Sequence, residues 1–361
     1  MGQSTATKTL KEANRKHTTQ RDRRVRSFMH RMTRWARSLE RDLLGTITAN
    51  RGGTDAVRND TDVILASALP EASVLMRRGL ADLAMWSWDD EAAKFVRAIP
   101  IPFWLRRVMP IHTLLSTEGQ PGDDGAALLE FQPDASFDID GAFRKILAGE
   151  LTKAETLDVI RELEFGSPTP EQLDAILTDA AWPDGLNAME RIVTVPRPEI
   201  AGLRSKIHEY LALPGPDRAS AFTSLANDIG DLVGNVNFKA VRIARTEGTR
   251  VAEDMLRESW KEADEFIEGI QVFTANDGNV RPTHVKNPNW RIPRHGKIYR
   301  KQPGGLFRAD DGEPLPRFPE DPNCRCWDTP VMIPEIEKEL ANVTVGPEYR
   351  AALDRFERER V

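Results

Sequence analysis

Apolar residues recur every three or four positions along one early stretch of the chain: Val25, Phe28, Met29, Met32, Trp35, Ala36, Leu39 and Leu43. That spacing returns to one side of a 3.6-residue turn, whereas a strand would scatter the same residues over both faces. The segment is therefore expected to be a helix with one buried stripe, and Gly45 follows as a stop signal. Its opposite face carries arginines. An amphipathic helix of this kind needs a partner for its stripe, which points to a mainly helical protein.

Further helical signals follow. Residues 46–66 read as a loop around Arg51-Gly52-Gly53-Thr54, and a helix is expected from about Pro70 to Ile99, ended by Pro100 and Pro102. Phe103, Trp104 and Leu105 read as core, with a partner-facing patch as the alternative. Gly119 to Asp140 reads as a linker or exposed loop. Thr152 with Glu155, and Thr169 with Pro170 and Gln172, spell two helix starts of the capping-box type. A helix is expected from about Glu199 to Leu213, stopped by Pro214-Gly215-Pro216. Residues 217–265 are mostly helix-forming, with a break expected near Gly230 to Asn237. After Phe266 the pattern changes to short β-capable runs among Gly, Pro, Asn and Asp, and a last amphipathic helix is expected from Pro347.

The fold class expected is mainly α with a small α+β, loop-rich C-terminal module. Four regions are drawn: a basic N-terminal arm and helix over 1–45, a helical region over 46–200, a module of long helices followed by β and loop over 201–335, and a helical tail over 336–361. The first twenty residues, rich in Thr, Lys and Gln, are expected to be disordered when alone.

The net charge of −6 hides an asymmetry. Residues 1–45 hold twelve Lys or Arg and four Asp or Glu, so the arm carries +8 and the rest of the chain −14. A basic arm on an acidic body can hold a polyanion while the body stays soluble; it can equally be a solvated arm or meet an acidic partner protein. The candidate phosphate-facing residues are Arg21, Arg23, Arg24, Arg26, Arg34, Arg37 and Arg41. No apolar run is long enough to cross a membrane, no apolar segment follows the N-terminus as a signal peptide would need, and Ala6 breaks the myristoylation pattern begun by Met1-Gly2.

Two cysteines in a chain of this length do not make a disulfide framework, and a reducing compartment is expected. Cys324 and Cys326 lie one residue apart behind a proline-rich approach. A metal site can be drawn from Cys324, Cys326, His284 and either His295 or Asp277, because structural zinc takes four ligands, usually Cys and His, and would stabilise a module poor in apolar residues. The alternatives are two buried free thiols or a disulfide-prone pair. His284 beside Arg281 could also serve as a base or bind phosphate, but no partner set completes a hydrolase or nuclease motif. Arg245 and Glu247, two apart on the long helix, point to different faces; together with Arg281 they read as a structural ionic network that ties the helix to the following module.

Taken in order, Ala244-Arg245-Thr246-Glu247, then Asp277 with Arg281 and His284, then Asn323-Cys324-Arg325-Cys326 resembles the phage head morphogenesis family, the minor head proteins similar to those of phages SPP1 and Mu. The resemblance covers roughly residues 217–330. It implies a low-copy virion component inside the head, made in the bacterial host cytoplasm. It also implies association with the portal protein, with the major capsid protein or scaffold, and with packaged double-stranded DNA bound without sequence preference, in head assembly and DNA delivery. It implies that His284 and the two cysteines act together, through a structural zinc. On this reading the chain is not an enzyme. The rival expectation is a metal-dependent nuclease or toxin-like transferase using His284, Glu247 and Arg245.

Overall fold

A computed structural model describes residues 5–49, 54–99, 104, 139–180, 182, 184–274, 296–303, 306–317 and 326–333. Three long helices dominate: α1 (Thr5–Ala49), α2 (Thr54–Ala98) and α8 (Gly215–Glu262). At a rise of 1.5 Å per residue each is about 70 Å long. Shorter helices lie between the second and third: α3 (Ile139–Ala148), α4 (Lys153–Glu164), α5 (Pro170–Thr178), α6 (Ala188–Thr194) and α7 (Arg197–Ala212). A single 3₁₀ turn, Asp264–Phe266, leads from α8 into a small sheet of β1 (Ile267–Phe273), β2 (Ile298–Lys301), β3 (Phe307–Arg308) and β4 (Trp327–Met332). The fold is thus mainly α with a small antiparallel sheet, as the sequence pattern implied.

The long helices pack on one another because each carries a stripe the others cover. The stripe of α1 expected over Val25–Leu43 is buried at Val25, Phe28, Met32, Trp35, Ala36, Leu39 and Leu43, and continues to Ile47. It shares one core with Leu65, Met76, Leu80 and Leu83 of α2 and Ile229, Val233, Val236 and Met255 of α8, so this core crosses the boundaries drawn at 45 and 200. The helices approach closely at Gly79, where an added Cβ would sit 2.2 Å from Cε2 of Phe28.

Several expected boundaries move. The first twenty residues are not a free arm from Thr5 onward: they form the first turns of α1, which runs past Gly45 to Ala49. The loop expected over 46–66 shrinks, since α2 begins at Thr54. Pro70 lies inside α2 rather than at its start. Pro70 and Ala66, whose carbonyl loses its amide partner, are both exposed, which keeps the cost of the missing hydrogen bond on the solvent side. The break expected at Gly230–Asn237 does not occur. Two helical glycines cost about 1 kcal/mol each, and the burial of Ile229, Val233 and Val236 outweighs that. The capping boxes at Thr152 and Thr169 form as read, each side-chain oxygen accepting from the N3 amide.

The sheet is antiparallel throughout, in the order β3-β2-β1-β4. Phe273 faces Trp327 across β1 and β4, their rings stacked at 4.5 Å. Gly269 sits where the register shifts on β1; a Cβ there would lie 2.7 Å from the Tyr299 carbonyl oxygen. A second core joins the sheet to the helix ends through Phe95, Trp104, Phe165, Trp260, Phe266 and Met332. Trp104 is fully buried and its indole N–H donates to the Val96 carbonyl at 3.1 Å, which places it in the core. Phe103, Leu105, the 119–138 part of the expected linker and the expected C-terminal helix lie outside the described residues.

Candidate functional site

Helix α1 presents its arginines in one row. Arg23, Arg26, Arg34, Arg37 and Arg41 are all exposed, with His30 filling the gap, so the steps along the chain are three, four, four, three and four residues. Such steps stay on one side of the helix, and the row spans about 27 Å at 1.5 Å per residue. Arg24 is exposed to the side of the row, its guanidinium 4.9 Å from the Trp86 ring centre. The acids close to the row leave it largely uncompensated: Arg41 lies 3.5 Å from Asp42 in an exposed pair, and such pairs contribute little.

Arg21 does not belong to this row. It is fully buried and paired with Glu253 of α8 and, at 3.1 Å, with Asp22. Burial works against its charge, but Glu253 and Asp22 outweigh that and hold its pKa above the ordinary arginine value. Arg21 is thus removed from the phosphate-facing set. The reason lies in the periodicity: Thr7, Leu10, Asn14, His17 and Arg21 continue the buried stripe toward the N-terminus at the same three-and-four spacing, with polar side chains in place of apolar ones at all but Leu10.

These polar positions join α1 to α2, α8 and β4. Asn14 donates to Thr329 Oγ1 at 3.2 Å and accepts from Lys94 Nζ at 2.6 Å. Lys94 pairs with Glu91 and lies 3.3 Å from Asp90. His17 Nδ1 meets Asp90 at 2.5 Å while its ring stacks on Trp86 at 4.5 Å. Burial and the neighbouring Lys94 push the His17 pKa down to about 3. Burial pushes Glu253 up to about 7 despite Arg21. On β4, Asp328 is paired with Arg257 Nε at 2.8 Å, and Arg257 also donates to the Pro316 carbonyl at 2.8 Å. Burial holds the Asp328 carboxyl above its usual range against the pull of Arg257.

A second buried network centres on Glu247. Its carboxylate accepts from Trp182 Nε1 at 2.7 Å, Arg191 Nη1 at 2.8 Å and Arg250 Nε at 2.8 Å. Arg250 also donates to the Ile176 carbonyl in the last turn of α5, at 3.2 Å, and to Asp254 at 3.1 Å. Glu247 thus ties α8 to α6 through Arg191, and Arg250 ties α8 to α5 through the Ile176 carbonyl. Arg245 is exposed on another face of α8, as expected of residues two apart. The partners of Glu247 were not legible as such, although Asn187 and Glu190, which form a third capping box and start α6 just before Arg191, carry the same four-residue signature as Thr152 and Thr169.

Of the proposed metal set, only Cys326 is among the described residues. It is buried at the entrance to β4 and packs with Val272, Tyr299 and Ala309. Cys324, His284, His295 and Asp277, together with Arg281 of the expected ionic network, lie outside them. Among the described residues no group of three or more His, Cys, Asp or Glu could hold a metal ion, and no helix is long and apolar enough to cross a membrane. No protein-family model, curated protein or solved structure matches this chain.

Proposed function

We propose that this chain is a minor head protein of a tailed bacteriophage, associated with the portal and with packaged DNA, that acts in head assembly and DNA delivery. The observation that carries the DNA-binding part is the row of five exposed arginines on α1. Duplex DNA holds about one negative charge per 1.7 Å of axis, so a stiff basic row of this length can follow a phosphate backbone without reading bases. The ordered resemblance in the sequence carries the assembly part. Its first element, the Arg-Thr-Glu run, sits on a helix that passes through a 3₁₀ turn into the sheet, and Cys326, the one described residue of its last element, directly precedes β4. That arrangement supports a single module spanning both ends of the motif set. The structural zinc on Cys324, Cys326, His284 and either His295 or Asp277 belongs to the same proposal.

The test has two arms. If all five arginines contact phosphates, the logarithm of the affinity for duplex DNA falls with the logarithm of salt with a slope of about −4.5. Affinity should be independent of sequence, and charge reversal at Arg26, Arg34 and Arg37 together should flatten the slope. Quantitative mass spectrometry of virions from the source phage or prophage should find the chain far below the major capsid protein in copy number and crosslinked to the portal. Absence from virions, or metal-dependent plasmid cleavage that disappears in His284→Ala, would overturn the assembly reading.

A further inference from the structure

A cleft of about 460 Å³ opens between α6 and α8, directly beside the Glu247 network. Trp182, Phe238 and Ile243 are among the side chains that line it, together with the charged Asp184, Arg191, Lys239 and Arg242. This size, with an apolar interior and a few polar groups, is that of a ligand site. We infer that the cleft is a docking site for an acidic segment of a partner protein that inserts an aromatic or large aliphatic side chain beside Phe238 and sets a carboxylate on Arg242.

Three observations carry this. Phe238 is 66% exposed, the one aromatic among the large apolar side chains left more than half open in the described residues. A well-formed helix has no need of a phenylalanine in water, and an interface anchored on such a residue would dry it. The cations differ in what they are already holding. Arg191 is committed to Glu247 and Asp184, and Lys239 to Glu199 at 2.6 Å. Arg242 is exposed and meets no carboxylate among the described residues, so it is the charge available to an incoming acid. The walls are also fixed in advance: the Trp182 indole is held by its hydrogen bond to Glu247, and the Arg191 guanidinium lies 5.4 Å from that ring. Preorganised walls lower the ordering cost of binding.

The geometry sets the register of the segment. Phe238 and Arg242 are one helical turn apart, about 6 Å along the axis, which an extended chain crosses in about two residues. The expected motif is therefore an anchor side chain followed or preceded two positions away by Asp or Glu. A segment of chain is favoured over a small anion because Phe238 stands at the rim: a molecule confined to the interior would leave it wet.

The inference does not rest on the phage reading, since it concerns other residues and another probe. The test is fluorescence anisotropy of the full chain with dye-labelled synthetic peptides that place Phe and Glu two positions apart in a Ser/Gly background. The Phe/Glu peptide should bind, and replacing its Phe by Ser or its Glu by Lys should weaken binding by about tenfold or more. Phe238→Ala should remove the effect of the peptide's Phe, and Arg242→Glu should invert the preference toward the Lys peptide. Both side chains are exposed, and circular dichroism of each variant checks that the helix persists. No binding, equal binding of Glu and Lys peptides, or binding unchanged in Phe238→Ala overturns the inference. Phenylacetate that competes as tightly as the peptide overturns the peptide assignment in favour of a small aromatic acid.

Discussion

Replacing Glu247 by Gln isolates charge from shape. The carboxylate is buried and accepts from three donors: Trp182 and Arg191 on one oxygen, Arg250 on the other. In Glu247→Gln the amide oxygen can keep the first pair, but the amide nitrogen then points its hydrogens at the Arg250 Nε–H, donor against donor. Turning the amide over saves Arg250 and sets the clash on Trp182 and Arg191. Either way two arginines that are 1% and 11% exposed lose a counter-charge. Removing one partner of a buried pair typically costs 3–5 kcal/mol; Arg250 keeps Asp254 and the Ile176 carbonyl, so the expected loss is about 3 kcal/mol. Equilibrium urea unfolding should show a lower midpoint with an unchanged slope. Trp182 reports the local event: it loses its acceptor or its fixed orientation, and an acrylamide-quenching experiment should find it more accessible before global unfolding begins. A loss below about 1 kcal/mol, the worth of an exposed pair, would refute the claim that this network ties α8 to α5 and α6.

Other outcomes follow from the same geometry. Arg21→Met should leave affinity for duplex DNA unchanged and cost about 3 kcal/mol or less, because Glu253 can take up a proton once its partner is gone; Arg37→Met should do the reverse, and a gel-shift series alongside urea unfolding separates the two. The His17 pKa is about 3 in the fold and about 6.5 unfolded, so this group withdraws stability as pH falls below 6.5, by about 2 kcal/mol at pH 5. Glu253, raised to about 7, acts in the opposite sense, its contribution present below about 4.5 and lost as pH rises through 7. The stability difference between wild type and His17→Gln should therefore move in favour of the variant by about 2 kcal/mol from pH 7 to pH 5, and no movement would show that His17 takes up its proton as readily in the fold as in the unfolded chain. Gly79→Ala drives a methyl into Phe28 and should cost about 1–3 kcal/mol. If Cys324, Cys326 and His284 hold zinc, the purified protein contains stoichiometric metal by elemental analysis, and Cys324→Ser loses it.

What could be read from the sequence was what depends on neighbours within one or two turns. The capping boxes at Thr152 and Thr169 are made of side chains three residues from the amides they satisfy, and the stripe from Val25 to Leu43 is a property of spacing alone. The misreadings arise where a long-range partner decides. Gly230 and Gly234 read as a break because glycine disfavours a helix locally, yet α8 continues through them with Ile229, Val233 and Val236 buried in the core shared with α1 and α2. Arg21 looked like one more cation on a basic face because its partner, Glu253, is 232 residues away. Its position was the available clue: counted backward from Phe28 and Val25 in steps of three and four, the stripe passes through Arg21, His17, Asn14, Leu10 and Thr7. Four of those five are polar, and each of the four meets a partner in α2, α8 or β4. An apolar seam tolerates sliding by a turn, since one aliphatic contact resembles the next. A seam of unlike polar groups does not, because a shift of one turn would bury each of them without its partner. The apolar two-thirds of α1 thus supplies the affinity between the helices, and the polar third sets their register and aligns α1, with its arginine row, on the strand that closes the sheet.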